Sequence, residues 1–237
     1  MIERLNTQVF ADGANLDTIA ALAKDPLISG FTTNPSLMRS AGLTHYQDFA
    51  RQVLERVPDE RPVSLEVCAD EPREIHRQAR VIAGWGTNVH VKVPITTCSG
   101  QSLTPVVRDL AMEGVHVNVT AIFTPEQVER SVAVLDGGPS SFVSVFAGRI
   151  ADAGIDPMPI VAECVKLAND CAGPKVIWAS PREVLNLLQA DAVGCHVITM
   201  TADLIKKLSL IGKDLMEFSR ETVAMFYNDA LAAGLDL

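Results

Sequence analysis

The sequence predicts an α/β protein folded as a single closed (β/α)8 TIM barrel with an extra C-terminal helix, and three observations predict it. Short apolar, β-branched runs alternate with amphipathic helical patterns from one end of the chain to the other. Eight such strand–helix pairs fit in 237 residues, the arithmetic of a closed barrel. No linker or low-complexity segment interrupts them, so residues 1–237 are expected to form one domain. Pattern alone leaves a doubly wound open sheet available.

In chain order the strands are expected near 7–12, 28–32, 62–67, 88–93, 115–120, 141–146, 175–179 and 194–199. Helical patterns fall between them near 15–24, 35–56, 71–84, 100–113, 124–136, 158–171, 181–189 and 201–209. Thr124-Pro125-Glu126-Gln127 and Ser180-Pro181-Arg182-Glu183 each read as a helix start: a hydroxyl at the N-cap, proline at the first helical position, an acid or amide at the third. They mark where strands five and seven hand over to helices, which in a barrel is the catalytic face. A last helical stretch near 212–233 has no part in closing the barrel. Its apolar set (Leu215, Phe218, Val223, Phe226, Tyr227, Leu231) needs a surface, either its own barrel or a neighbouring subunit.

Bulk chemistry excludes several functions. A formal net charge of −9 argues against general binding to nucleic acid or anionic membranes. An anionic substrate then requires a local cluster of Arg or Lys. No run reaches the apolar length of a membrane span, and Met1-Ile2-Glu3-Arg4-Leu5 lacks a signal peptide's apolar region. The cysteines number 5, without a C-x-x-C pair, and read as reduced thiols of a cytoplasmic protein. The 5 histidines have no metal-ligand spacing, so no metal is expected.

The most informative residue is Lys92, in Asn88-Val89-His90-Val91-Lys92-Val93-Pro94-Ile95. An ammonium in so apolar a strand is paired, is kept for chemistry as an amine nucleophile with a lowered pKa, or snorkels from the strand end to solvent. The other strands decide between these. With side chains alternating along a strand, Lys92 shares a face with His90, Glu66 with Ser64, Asn118 with Thr120, and Ser144 with Phe146, while Asp12 and Ser180 end strands one and seven. Most of these lie at carboxyl ends, where a barrel directs them into one pocket. Buried polar groups cost free energy unless satisfied, so this convergence favours catalysis over packing. Asp12 and Glu66 suit the proton transfers that an imine-forming amine requires, although either could serve only to pair with Lys92.

Gly30-Phe31-Thr32-Thr33-Asn34-Pro35-Ser36-Leu37 resembles the T-T-N-P-S signature of the transaldolases, and Val91-Lys92-Val93-Pro94 resembles their Schiff-base lysine segment. The likeness continues, in order, through Ala11-Asp12, Ser64-Leu65-Glu66-Val67, Asn118-Val119-Thr120, Ser144 to Arg149, and Ala179-Ser180-Pro181-Arg182. It implies a cofactor-free barrel that moves a dihydroxyacetone unit between sugar phosphates in the pentose phosphate pathway. On that resemblance Lys92 forms the imine, Asp12 exchanges the proton of the cleaved carbinol, and Glu66 with Thr120 holds the water that relays protons. Asn34, Asn118, Ser144 and Ser180 bind the hydroxyls of the dihydroxyacetone unit, with Thr32 lining the pocket, and Arg149 with Arg182 clamps the phosphate.

Arg182 has support apart from the resemblance, because a first helical turn favours an anion. Ser180 also suits an N-cap, and Arg149 a surface ion pair with Asp152. The short relatives divide into transaldolases and fructose 6-phosphate aldolases, a lyase class that resembles Gln at position 66 and Tyr at position 146. Glu66 and Phe146 resemble the transaldolase pairing. A phosphosugar-binding barrel without catalysis is the third reading. His90 is usually aliphatic in the family; here it is either a satisfied core histidine or a group that tunes Lys92. The resemblance further implies a homo-oligomer, such as a pentamer or decamer, held partly by the last helix.

Overall fold

A computed structural model describes residues 5–235 and contains the expected closed, all-parallel barrel, with strand order β1 to β8 around the ring. The strands are β1 (Gln8–Asp12), β2 (Ile28–Thr32), β3 (Val63–Glu66), β4 (Val89–Pro94), β5 (Val117–Ile122), β6 (Ser141–Val145), β7 (Pro174–Trp178) and β8 (Val197–Thr201). β8 closes on β1, pairing Phe10 with Thr199 and Asp12 with Thr201. Met1–Arg4, which bear on the expected absence of a leader, lie outside the described residues.

Alternation decides where the core sits. One face of each strand (Val63 and Leu65, Val89, Val91 and Val93, Val117 and Val119, Val143 and Val145) packs outward against the helices in one large apolar layer. The other face points into the barrel and is apolar only on one side, where Phe10, Phe142, Ile177 and Val197 form a small cluster. The opposite side is filled by Ser64, His90 and Asn118, all buried. Polar filling needs partners, and Asn118 has them: its amide donates to Ser64 Oγ at 3.0 Å and accepts from Ser144 Oγ at 2.7 Å.

The helices are α1 (Leu16–Leu22), α2 (Pro35–Ser40), α3 (Tyr46–Leu54), α4 (Pro72–Ala83), α5 (Thr104–Met112), α6 (Pro125–Leu135), α7 (Ala147–Asp152), α8 (Pro157–Asn169), α9 (Leu185–Ala192), α10 (Ala202–Lys206) and α11 (Leu215–Ala232). The capping box at Thr124 is present, with Gln127 closing it from the third position.

Several expectations need correction. The pattern over 35–56 is two helices, because Gly42 at φ 70° ends the first in a left-handed turn. The segment 100–103 is not helical: Thr96 and Ser102 form an antiparallel bridge that turns at Gly100, φ 84°. β5 and β8 begin two and three residues later than expected, after helix-ending Gly114 and Gly194. The short helix α7 was not anticipated.

Ser180 is not an N-cap. It sits at φ 61°, the chain turns there, and the helix starts only at Leu185, so Arg182 is not in a first helical turn. The Arg182 backbone N–H already donates to Asn186 Oδ1 at 2.7 Å, which removes the free N–H that the anion argument required.

The last helix does not cover its own barrel. α11 has no buried residue, and Leu215, Val223, Phe226, Tyr227 and Leu231 are all exposed. Among the described residues no helix is long and apolar enough to cross a membrane.

Candidate active site

The carboxyl ends of the strands open into a cavity of about 490 Å³. Its lining includes Asp12, Thr32, Asn34, Glu66, Lys92, Thr120, Ser144, Phe146, Arg149, Ser180 and Arg182, so eleven of the twelve residues singled out from sequence meet in one place. Asn118 is the exception. It lies one layer below, fully buried, where it holds Ser144.

Lys92 projects inward from β4 and is only 6% exposed. Its Nζ lies 3.0 Å from Glu66 Oε2 and donates to the Thr33 backbone carbonyl at 2.9 Å. The pairing is built into the sheet, since Glu66 and Lys92 are register partners on β3 and β4. Excellent geometry and a second acceptor are what a buried ion pair requires. Tyr46 supports the arrangement by donating its hydroxyl to the Glu66 carbonyl at 2.9 Å.

Asp12 ends β1 beside this pair. Desolvation raises its carboxyl above the usual range, and the Lys92 charge and a hydrogen bond from Thr32 oppose that rise. Thr32 Oγ1 lies 2.7 Å from Asp12 Oδ1 and 2.6 Å from Thr199 Oγ1. Thr120 Oγ1 is buried without a protein partner. Asn34 caps α2, accepting from Leu37 N–H at 3.0 Å, which leaves its amide NH₂ free of that bond.

At the cavity rim, Arg149 extends from α7 and lies over the Phe146 ring, 5.2 Å from its centroid. Asp152 pairs with Arg182, not with Arg149: Arg182 Nε donates to Asp152 Oδ1 at 3.0 Å, and its Nη2 contacts the other oxygen. That guanidinium holds the exposed Asp152 carboxyl below its usual range. The Arg149–Asp152 alternative is thereby excluded.

His90 lies deeper, toward the opposite mouth. Its ring packs against His116 and Phe142, with centroids 5.0 Å and 4.7 Å away. Its Nε2 is buried without a partner, so it is not the fully satisfied core histidine that was one of the two expectations. Burial, with His116 adding to it, pushes His90 down to about 4.

Sequence reasoning missed Thr199, the Thr33 carbonyl and Tyr46, and it gave Asp152 the wrong arginine. A signal existed for Thr199, an inward threonine next to an apolar Ile198, but the strand was placed too early to distinguish it from a strand end. Among the described residues no group of three or more His, Cys, Asp or Glu could hold a metal ion. Chemically, the site combines a buried primary amine, two carboxylates in its vicinity, several hydroxyls and two guanidinium groups at the rim.

Comparison with known proteins identifies the family. The family model described as Transaldolase/Fructose-6-phosphate aldolase matches residues 9–236. A probable transaldolase of Dehalococcoides mccartyi is 36% identical over 194 residues, covering 81% of this chain and 86% of that protein. One from Herpetosiphon aurantiacus is 33% identical over 202 residues, covering 85% and 86%. Probable transaldolase 2 of Listeria monocytogenes is 32% identical over 200 residues, covering 84% and 87%.

Among solved structures, a putative dihydrodipicolinate synthase family protein from Coccidioides immitis superposes with a TM-score of 0.62 at 12% identity, covering 84% of this chain and 68% of that one. A putative phosphonomutase from Burkholderia cenocepacia superposes with 0.58 at 11%, covering 96% of each. At such identities these two speak for the barrel fold alone. The sequence matches go further: this chain belongs to the transaldolase/fructose-6-phosphate aldolase family.

Proposed function

We propose that this protein is a transaldolase, moving a dihydroxyacetone unit from a ketose phosphate such as sedoheptulose 7-phosphate or fructose 6-phosphate to an aldose phosphate through an imine on Lys92. The observation that carries this reading is the placement of Lys92 Nζ, 3.0 Å from Glu66 in a cavity with Arg149 and Arg182 at its rim. An amine and two guanidinium groups lining one cavity suit a substrate that carries both a ketone and a phosphate.

In this reading Glu66 takes a proton from the Lys92 ammonium, and the free amine adds to the ketone carbon. Glu66 with Thr120 holds the water that relays protons as the carbinolamine loses its oxygen as water. Asp12 then removes the hydroxyl proton at the carbinol carbon. The carbon–carbon bond breaks, its electron pair enters the iminium to give an enamine, and the aldose leaves. An acceptor aldehyde reverses these steps, with Asp12 returning the proton to the new hydroxyl, and hydrolysis frees Lys92. Asn34, Ser144 and Ser180 bind the hydroxyls of the three-carbon unit, Asn118 acts from beneath through Ser144, and Thr32 and Phe146 both line the pocket. The reaction calls for no cofactor.

The same reading places the protein in the cytoplasm and in the pentose phosphate pathway. It also makes the protein a homo-oligomer, pentamer or decamer, in which α11 covers a neighbouring subunit; the exposed apolar residues of α11 support that assembly.

The lyase alternative shares every step up to the enamine and then releases dihydroxyacetone. Glu66 and Phe146 favour transfer. Incubation with sedoheptulose 7-phosphate, with and without glyceraldehyde 3-phosphate, separates the two. Turnover only with the acceptor is the expected result, and equal turnover without it marks a lyase.

A further inference from the structure

Thr32 is buried between two oxygen atoms and has one hydroxyl proton to share between them. Asp12 Oδ1 is 2.7 Å away and Thr199 Oγ1 is 2.6 Å away. An ionised carboxylate only accepts hydrogen bonds, whereas a hydroxyl donates once and accepts through its lone pairs. While Asp12 is ionised, Thr32 must therefore donate to it. The 2.6 Å contact is then a hydrogen bond given by Thr199 to Thr32. The direction runs from β8 through β2 to the carboxylate ending β1, passing in front of β1, which lies between the two threonine strands in the sheet.

We propose that Thr199 is a positioning residue for the reaction: by donating to Thr32 it aims the Thr32 hydroxyl at Asp12 and holds that carboxylate ready to accept the carbinol proton. The inference rests on the reading of Asp12 as the proton carrier. Chained hydroxyls polarise one another, so the bond reaching Asp12 is stronger with Thr199 behind it than Thr32 alone could make it. After Asp12 takes the proton, the chain can reverse. Asp12 then donates to Thr32 and Thr32 to Thr199, with only hydroxyl rotation and no loss of a proton. Thr199 is 5% exposed and lines the same cavity.

The charged groups acting on Asp12 are Lys92 from β4 and Glu66 from β3. From β2 and β8 the groups next to it are threonines: Thr32, which is hydrogen-bonded to Asp12, and Thr201, its register partner, with Thr199 behind Thr32. Asp203 and Lys206 on α10 are exposed and lie 3.7 Å from each other. Asp17 on α1 is exposed.

Thr199→Ala and Thr199→Ser both shorten the side chain by the same methyl and differ by one hydroxyl, so comparing them removes the packing contribution. Their kcat–pH profiles are measured beside Asp12→Asn. Thr199→Ala should lose roughly tenfold in kcat and move the acidic limb upward by about half a pH unit or more, because a donor supporting the charged carboxylate is weakened. Thr199→Ser should restore both, and Asp12→Asn should abolish turnover. Equal profiles for Thr199→Ala and Thr199→Ser, with Asp12→Asn inactive, overturn the role of Thr199 alone. An active Asp12→Asn overturns the reading of Asp12 and takes this proposal with it. A Thr199→Ala that fails to fold is replaced by Thr199→Val, which keeps the side-chain volume and is compared with the unsubstituted protein, from which it differs by the hydroxyl.

Discussion

Gly148 and Ser180 are packed so closely that no side chain fits between them: a Cβ on Gly148 would stand 1.5 Å from the Ser180 carbonyl oxygen and 2.6 Å from its carbonyl carbon. The contact joins the start of α7, which carries Arg149, to the left-handed turn at Ser180 that leads to Arg182. Backbone packing against backbone thus sets the relation between the two arginines at the rim.

Gly148→Ala should therefore push the Ser180 turn away and disturb both arginines. Overpacking of this kind costs roughly 1–3 kcal/mol. The expected outcome is a lower melting temperature, with KM for sugar phosphates raised more than kcat is lowered. An unchanged KM would show that this contact does not position the arginines.

Glu66→Ala should be among the more destabilising substitutions in the barrel. It leaves the Lys92 ammonium, 6% exposed, with only the Thr33 carbonyl as a hydrogen-bond partner, and removing one partner of a buried pair costs about 3–5 kcal/mol. Glu66→Gln keeps an acceptor and should lose less. Urea denaturation of both variants checks the ordering, and equal losses would count against the pair as a determinant of stability.

His90 gives stability a pH dependence of known sign. Burial holds its folded value at about 4, against an ordinary 6.5 in the unfolded chain. Between those values the unfolded state binds the extra proton, so this contribution is complete above pH 6.5 and is lost as pH falls toward 4. The loss is roughly 3 kcal/mol at most. His90→Leu should remove it, narrowing the difference in urea midpoint between pH 7 and pH 5. An identical difference in both proteins would contradict this. Asp12 works the other way, which is why the comparison with the variant is needed.

Much of this site was legible because strand alternation is strict. Once Lys92 was placed on the inner face of β4, the same parity carried Glu66, Thr120 and Ser144 into one cavity. The conformation of Ser180 was not legible. Ser180-Pro181-Arg182-Glu183 has the composition of a helix start, yet tertiary packing against Gly148 holds the serine in a left-handed turn. The partner of Asp152 was hidden for a similar reason: Arg149 is close in sequence, but Arg182 reaches it from another strand's loop. Asn118 had the right face and the wrong depth, because alternation gives direction and says nothing about which layer is covered by the next.

The exposed face of α11 should hold the proposed assembly together. Phe226 is 62% exposed and Tyr227 65%, and burying such side chains contributes roughly 1.5–3 kcal/mol each. Phe226→Glu with Tyr227→Glu should reduce the oligomer in a sizing column and leave the barrel folded by circular dichroism. An unchanged elution volume would count against α11 as the contact.

The central claim is that Lys92 forms an imine with the ketose. Borohydride reduction of the protein with fructose 6-phosphate, followed by peptide mass spectrometry, tests it most directly. The account predicts one stable adduct, on the peptide that contains Lys92, and none in Lys92→Met. Reduction that leaves Lys92 unmodified while the protein turns over its substrate, or an adduct on another lysine, would contradict it.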